Sequence, residues 1–175
     1  MGKRKKCIFH FIIALALLLI YFIPGRFFVD YDSHITSLDD VSPVTASLGQ
    51  IQQFLDIHRN ESIVIFITPF YAHETNLVGN KEWVDGIKSL QKNYSFELGL
   101  HGNSHRLFNS RCNEFLLPQP WKIKEAREEF KSAFGYYPTI FRAPCFDLNV
   151  FDYLYVKASG MKNYGWLNHG EVYHP

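Results

Sequence analysis

The residues of this sequence that could support catalysis fall into three short motifs. The first is the acidic pair Asp39 and Asp40, the second is His101 and His105 in a His-x-x-x-His pattern, and the third is Arg142 in an Arg-Ala-Pro sequence. Two histidines and one carboxylate suit a catalytic divalent metal that keeps open positions for water. A second carboxylate beside that water can take its proton, and a nearby arginine can hold that carboxylate ionised.

Local geometry sets expectations for how these side chains meet. Adjacent residues of a strand point to opposite sides, so one of Asp39 and Asp40 is expected to bind the metal while the other faces the substrate. His101 and His105 are four residues apart and converge on one ion if the loop after the strand starts a helical turn. Each motif alone is commonly a turn, a helix cap, a surface pair or a loop. Their joint occurrence, in this order and each after a predicted strand, is much harder to produce by chance.

The elements that must position these motifs alternate between strands and helices. Strands are predicted at 34–38, 62–67, 96–100 and 139–142, with a possible fifth at 160–166, and helices at 43–58, 81–92, 120–134 and 148–159. The continuous apolar run at 62–67 is typical of a strand buried on both faces of a parallel sheet. The alternation predicts an α/β fold with helices outside a parallel sheet. All three motifs then lie at the carboxyl edge of the strands, where such folds build their sites.

The N-terminal segment has the pattern of a membrane anchor. Four basic residues among the first six precede an apolar run of about 17 residues from Cys7 to Ile23. We expect residues 1–25 to form a signal-anchor or transmembrane helix, 26–32 a linker and 33–175 an extracytoplasmic catalytic domain. Secretion after signal cleavage is the alternative, although no small-x-small site follows the run.

Length, charge and cysteine content narrow the possible classes of protein. With 175 residues the chain favours one domain and is too short for an eight-fold barrel of about 200–250 residues. A balance of 18 Lys and Arg against 17 Asp and Glu argues against nucleic-acid binding. Cys112 and Cys145 either pair in an oxidising compartment or remain free thiols. Nothing in the sequence indicates a protein partner.

The three motifs resemble those of the polysaccharide deacetylases, the NodB-type homology domain of carbohydrate esterases. They read Ser37-Leu-Asp39-Asp40-Val-Ser-Pro43, Glu97-Leu-Gly-Leu-His101-Gly-Asn-Ser-His105-Arg106 and Phe141-Arg142-Ala-Pro144. The resemblance covers roughly residues 33–165 and implies a distorted (β/α) barrel with seven strands. This chain carries about five of them, so the barrel is expected to be incomplete at the C-terminus.

The resemblance also implies a reaction and a set of roles. The reaction is hydrolysis of N-acetyl groups from an amino-sugar polysaccharide or oligosaccharide, with release of acetate. The implied metal ligands are Asp40, His101 and His105, with zinc as the metal. Asp39 is the implied general base for the attacking water, and Arg142 orients it and holds it ionised. The backbone N–H of Cys145 is the implied oxyanion donor.

The C-terminal part of the sequence departs from the family pattern. The family's late Leu-His motif supplies the general acid, and here His169 is the candidate offered, while His174 is expected to belong to a tail. Trp166 is a candidate for the aromatic residue beside the catalytic groups, with core packing as the alternative. Three hypotheses follow: a membrane-anchored deacetylase, a carbohydrate-binding relative impaired by loss of the acid, and a metal-dependent amidohydrolase with another substrate.

Overall fold

A six-stranded parallel sheet forms the centre of the fold. The computed structural model describes residues 8–13, 15, 30, 35–105, 107–108, 111–112, 114–115, 117–165 and 169–175, with only the backbone at 107–108, 111–112 and 169–171. The strands of the sheet are β1 (Ile35–Val41), β2 (Ile63–Ile67), β3 (Glu97–His101), β6 (Ile140–Arg142), β7 (Lys162–Asn163) and β8 (His169–Tyr173). Their spatial order is β7-β6-β3-β2-β1-β8, and every neighbouring pair is parallel. A separate antiparallel hairpin joins β4 (Leu107–Phe108) to β5 (Arg111–Cys112).

The α-helices between the strands pack against one face of the sheet. They are α1 (Leu48–Ile57), α2 (Lys81–Asn93), α3 (Pro120–Phe134) and α4 (Val150–Ala158). Their buried apolar residues form one cluster with strand residues such as Leu38, Ile65 and Phe141. The opposite face carries a smaller cluster, which is Ile35, Val64, Phe66, Ile140 and Tyr164. Among the described residues the helices that connect the strands lie on one face, an arrangement typical of a barrel wall rather than of a doubly wound sheet.

The predicted parallel α/β fold is confirmed, but barrel closure is not seen. The edge strands β7 and β8 lie at opposite ends of the sheet, and no pairing joins them within the described part of the chain. β8 was not predicted at all, and it adds a strand beside β1.

The helix predicted at 43–58 begins five residues later than expected. Residues 43–45 form a turn, and the helix starts at Leu48 after an N-cap at Ser47. Ser47 and Gln50 form a reciprocal capping box, which satisfies backbone donors of the first turn. The turn at 43–45 fixes the position of the end of β1, where Asp39 and Asp40 lie.

The predicted anchor lies largely outside the described residues. Of segment 1–25, only residues 8–13 and 15 are described, and they are helical and exposed. No helix among the residues placed by the structure is both long and apolar enough to cross a bilayer. The domain boundaries predicted at 25 and 32 remain predictions.

Candidate metal centre

A bulge in β1 places both aspartates on the same side of the sheet. Leu38 pairs with Ile65 and Val41 with Ile67, so β1 uses three residue steps where β2 uses two. Both Leu38 and Val41 face the helices, and the extra residue therefore lets Asp39 and Asp40 lie together on the opposite face. The expectation that the two carboxylates point to opposite sides was wrong for this reason.

The backbone at the bulge is held by the turn that follows. Asp40 has a φ of 58°, in the left-handed region, which aspartate tolerates better than most residues. The Thr45 hydroxyl donates to the Asp40 carbonyl at 2.5 Å and accepts from the Ser42 N–H at 2.8 Å. These bonds fix the direction in which the Asp40 carboxylate leaves the strand.

Asp40, His101 and His105 converge on one point. Oδ1 of Asp40 lies 3.0 Å from Nε2 of His101 and 2.9 Å from Nε2 of His105. All three candidate ligand atoms lie within 4.8 Å of one another. Oδ1 of Asp40 is buried and makes no hydrogen bond of acceptable geometry to any described residue. Ligands about 2.0–2.1 Å from one ion lie about 3 Å apart, so the arrangement fits a divalent metal.

The loop between the two histidines makes this convergence possible. His101 ends β3, and Gly102 and His105 have φ values of 59° and 48°. The chain thus turns back tightly instead of starting the helical turn that we expected. The Tyr71 ring stacks on the His105 ring with centroids 5.9 Å apart, which limits the rotation of that ligand.

The electrostatics of the ligand set favour a charged carboxylate. Burial alone raises the pKa of Asp40, but the close contacts with His101 and His105 and the attraction from them outweigh burial and hold that pKa well below its usual range. Burial alone lowers the pKa of His105, but the close contact with Asp40 and the negative charge of that carboxylate raise the pKa overall. Without a metal, the site therefore holds a negative carboxylate and attracts a proton or another cation.

Arg142 and Asp39 form a buried ion pair beside these ligands. Nη1 of Arg142 donates to Oδ1 of Asp39 at 2.7 Å and to the Ser37 hydroxyl at 2.6 Å. Arg142 is fully buried and Asp39 is 2% exposed. Burial lowers the pKa of Arg142 and the Asp39 carboxylate offsets part of that shift, but guanidinium groups stay charged in proteins. The guanidinium therefore places a permanent positive charge 2.7 Å from the Asp39 carboxylate.

The guanidinium is positioned by an aromatic ring beneath it. Cζ of Arg142 lies 4.1 Å from the centroid of the Phe66 ring, within cation–π distance. The ring in turn lies against Gly99 of β3, where an added Cβ would come within 2.6 Å of it. Only glycine at this position leaves room for the stack that holds Arg142 at the end of β6.

His174 reaches the centre, although sequence reasoning assigned it to a tail. It directly follows β8, and its Nδ1 lies 2.8 Å from Oδ2 of Asp40. Tyr173 anchors the strand end, because its ring packs on Phe54 and His58 with centroids 5.3 and 4.7 Å apart. One sequence signal could have indicated this role: His174 directly follows Val172 and Tyr173, a pair of residue types common in strands.

The remaining predicted residues are placed differently. His169 starts β8 and pairs with Ile35, at the end of β1 remote from Asp39 and Asp40. Cys145 is exposed, disulfide-bonded and in a left-handed conformation with a φ of 51°. The pairing with Cys112, one of the two alternatives that the sequence left open, involves a side chain that is not described. Trp166 lies outside the described residues.

Comparison with known proteins finds relatives only at the level of structure. No family model matches the sequence. No curated protein matches it either. The fold is similar to a polysaccharide deacetylase from Bacillus cereus, with a TM-score of 0.52, 18% identity, and coverage of 78% of this chain and 60% of that one.

Two further structures share the fold. A pseudoenzyme of carbohydrate esterase family 4 from Bacillus anthracis has a TM-score of 0.52 and 17% identity, covering 77% of this chain and 43% of that one. A family 4 carbohydrate esterase from Streptomyces lividans in complex with acetate has a TM-score of 0.53 and 16% identity, covering 83% and 79%. The match thus spans about half the length of the first two relatives. At these identities the likeness shows the fold: a divergent polysaccharide deacetylase-like domain.

Proposed function

We propose that this chain, which has the fold of a divergent polysaccharide deacetylase-like domain, is a metal-dependent hydrolase. Its proposed substrate is an N-acetylated amino-sugar glycan, and its proposed products are the free amine and acetate. The observation that carries this proposal is the convergence of Asp40, His101 and His105 beside the buried pair of Asp39 and Arg142. Zinc is the proposed metal, because an Asp and two His with open positions is a set that zinc uses in catalysis.

The residues around the ligands suit amide hydrolysis. A bound divalent ion would supply Lewis acidity for the acetamide carbonyl and lower the pKa of the attacking water. Asp39 takes the proton of that water. Its Oδ1 is held by Arg142, while its Oδ2 makes no hydrogen bond to the described residues. The water oxygen bonds to the carbonyl carbon, the carbon–nitrogen bond breaks, and acetate leaves. The N–H of Cys145 is the proposed oxyanion donor.

His174 is the proposed general acid, in place of His169. It is exposed, it lies at the carboxyl end of β8, and it contacts Asp40 at 2.8 Å. From there its ring can deliver a proton to the departing amine nitrogen. His174→Asn should leave metal binding within a few-fold of wild type and lower kcat by about 10²- to 10⁴-fold, the usual contribution of such an acid. His169→Asn is the matched control, and an equal loss of kcat in both variants would contradict this assignment.

The proposal is tested by metal analysis and acetate release on the same preparation. The full chain is purified without chelator, its metal content is measured by plasma emission spectrometry, and it is incubated with N-acetylglucosamine oligomers. Stoichiometric zinc and released acetate support the proposal. A chain that retains no divalent metal after reconstitution would refute it.

The same assay separates the competing functions. Metal binding and glycan binding without acetate release would favour the impaired carbohydrate-binding relative. Acetate or another acid released only from non-sugar amides would favour an amidohydrolase with a different substrate. His101→Ala abolishes turnover under either hydrolase hypothesis, and it leaves glycan binding intact if the chain is only a binding protein.

We further propose that residues 1–25 anchor the chain in a membrane with the domain on the extracytoplasmic side. The support is the basic cluster followed by the apolar run. Alkaline extraction of membranes and protease accessibility from the outside test this. A full-length chain recovered in the soluble fraction would contradict it, and a shortened one would favour signal cleavage.

A further inference from the structure

Glu114 is a buried carboxylate that belongs to none of the three sequence motifs. It lies directly beyond the β4–β5 hairpin that follows His105, and it is 6% exposed. Its Oε1 accepts the backbone N–H groups of Asn103 and Ser104, each at 2.9 Å. Its Oε2 accepts the N–H of His105 at 3.0 Å. The turn between the two histidine ligands is therefore wrapped around one carboxylate.

The shape of this turn depends on an acceptor at its centre. With φ values of 59° at Gly102 and 48° at His105, successive N–H groups point into one concavity, the geometry that binds an anion. An added Cβ at Gly102 would lie 2.9 Å from Oε2 of Glu114 and 2.6 Å from Pro144. Glycine is thus required for the carboxylate to approach. Without Glu114, three largely buried N–H groups would lose their acceptor.

The outer side of the turn is held by other contacts that leave these N–H groups free for Glu114. The Asn103 carbonyl accepts from the N–H of Phe70 at 3.0 Å, and the Ser104 carbonyl accepts from the N–H of Ala72 at 2.7 Å. The carbonyls of the turn thus bond to backbone N–H groups on its outer side, and its N–H groups bond to Glu114 on its inner side. Of these two sets of hydrogen bonds, only the inner set depends on a single side chain.

We propose that Glu114 is a positioning residue of the metal centre, which holds the turn at 102–105 so that His101 and His105 present their Nε2 atoms to one ion. It does not contact the ion itself. The inference rests on the proposed function only in taking a divalent cation as the ligand. Residues that orient metal ligands in this way typically change metal affinity by about 10- to 100-fold when mutated.

The test compares two matched substitutions in the full chain. Glu114→Gln keeps the shape of the side chain and one acceptor oxygen, but it sets an NH₂ group against at least one backbone N–H of the turn. Glu125→Gln removes the same charge from an exposed residue that accepts a hydrogen bond from the Asn103 side chain at 3.4 Å, whereas the backbone N–H groups of the turn bond to Glu114. Titration with Co²⁺, followed by its visible absorption, gives both affinity and ligand geometry without any turnover.

The expected result is a 10- to 100-fold weaker Co²⁺ affinity and an altered absorption spectrum for Glu114→Gln, with Glu125→Gln within about threefold of wild type. Wild-type affinity and spectrum in Glu114→Gln would overturn the proposal. If wild type binds Co²⁺ but releases no acetate from glycans, the proposed function fails while these affinities still decide the role of Glu114. If wild type binds no Co²⁺, both fail.

A second measurement needs no variant and covers the case in which Glu114→Gln does not fold. Hydrogen exchange of the metal-free wild-type chain reports on the amides of Asn103, Ser104 and His105. Strong protection before any ion is added supports a turn that Glu114 has already shaped. Exchange at the rate of an unstructured peptide, with protection only after Co²⁺ addition, would show that the ion orders the turn and would overturn the proposal.

Discussion

The buried pair of Asp39 and Arg142 allows the sharpest test of this structure, through the substitution Asp39→Asn. The substitution keeps the shape of the side chain and removes its charge. Arg142 is fully buried, and Nη1 has two acceptors, Asp39 and Ser37. Nε and Nη2 of Arg142 have no hydrogen-bond partner among the described residues. Loss of the Asp39 charge therefore leaves a cation in the interior with little compensation.

The cost can be estimated from the burial. Breaking a buried ion pair by removing one partner costs about 3–5 kcal/mol. The amide oxygen of Asn keeps one hydrogen bond, so we expect about 3 kcal/mol. With a urea m-value of about 2 kcal/mol/M, the unfolding midpoint should fall by about 1.5 M. Ser37→Ala is the control, because it removes a neutral acceptor and should cost about 1–2 kcal/mol.

The double variant Asp39→Asn/Arg142→Met isolates the charge. Met fills a similar volume and can lie against the Phe66 ring. When Arg142 is replaced, the substitution Asp39→Asn no longer leaves a buried cation unpaired and should lower the free energy of unfolding only slightly. The double variant should therefore be more stable than Asp39→Asn alone. Urea unfolding followed by circular dichroism measures all the variants. The pairing would be refuted if the destabilisation of the double variant equalled the sum of those of Asp39→Asn and Arg142→Met to within about 0.5 kcal/mol, because residues in contact should not behave independently.

Three further predictions follow from the centre and the strand beneath it. His101→Ala should lose bound metal after gel filtration, measured by plasma emission, and retention of the metal would contradict the ligand assignment. The raised pKa of His105 and the lowered pKa of Asp40 predict that the metal-free chain is most stable between their ordinary values of 6.5 and 3.8. Its stability should fall as the pH rises through the His105 pKa and as the pH drops through the Asp40 pKa, whereas metal affinity should rise with pH. Thermal melts with and without chelator test this. A melting temperature that does not change with pH would contradict it. Gly99→Ala should lower the free energy of unfolding by about 1–3 kcal/mol, because its Cβ would overlap an aromatic ring, whereas Gly49→Ala in α1, with nothing within 4 Å, should be neutral or stabilising. Equal effects in urea unfolding would contradict the packing argument.

The elements with strong periodic patterns could be predicted from sequence. The apolar run at 62–67 matches β2, and helix 120–134 was predicted with the bounds that α3 has. Proline at its first position and Gly135 at its left-handed C-cap mark that helix at both ends. These signals are local, so no tertiary information was needed.

Features that depend on tertiary contacts were missed. β8 offers only Val172 and Tyr173 as strand signals, and its existence depends on pairing with β1. The bulge in β1 left one trace in the sequence, the three-residue spacing of Leu38 and Val41, which a regular strand would place on opposite faces. Glu114 had no signal, because its partners are backbone groups of a turn that only the folded chain brings near.

The bulge in β1 sets the stability of the strand against the proposed metal site. A regular strand would pair with β2 without interruption and would avoid the left-handed backbone at Asp40, a strain that costs about 1–3 kcal/mol at such sites. A chain lacking Asp40 would regain that pairing and lose the carboxylate of the candidate ligand set formed by Asp40, His101 and His105. Selection for stability alone would therefore remove the proposed metal centre in a single deletion. Screens for thermostable variants of this domain should exclude changes between Leu38 and Val41.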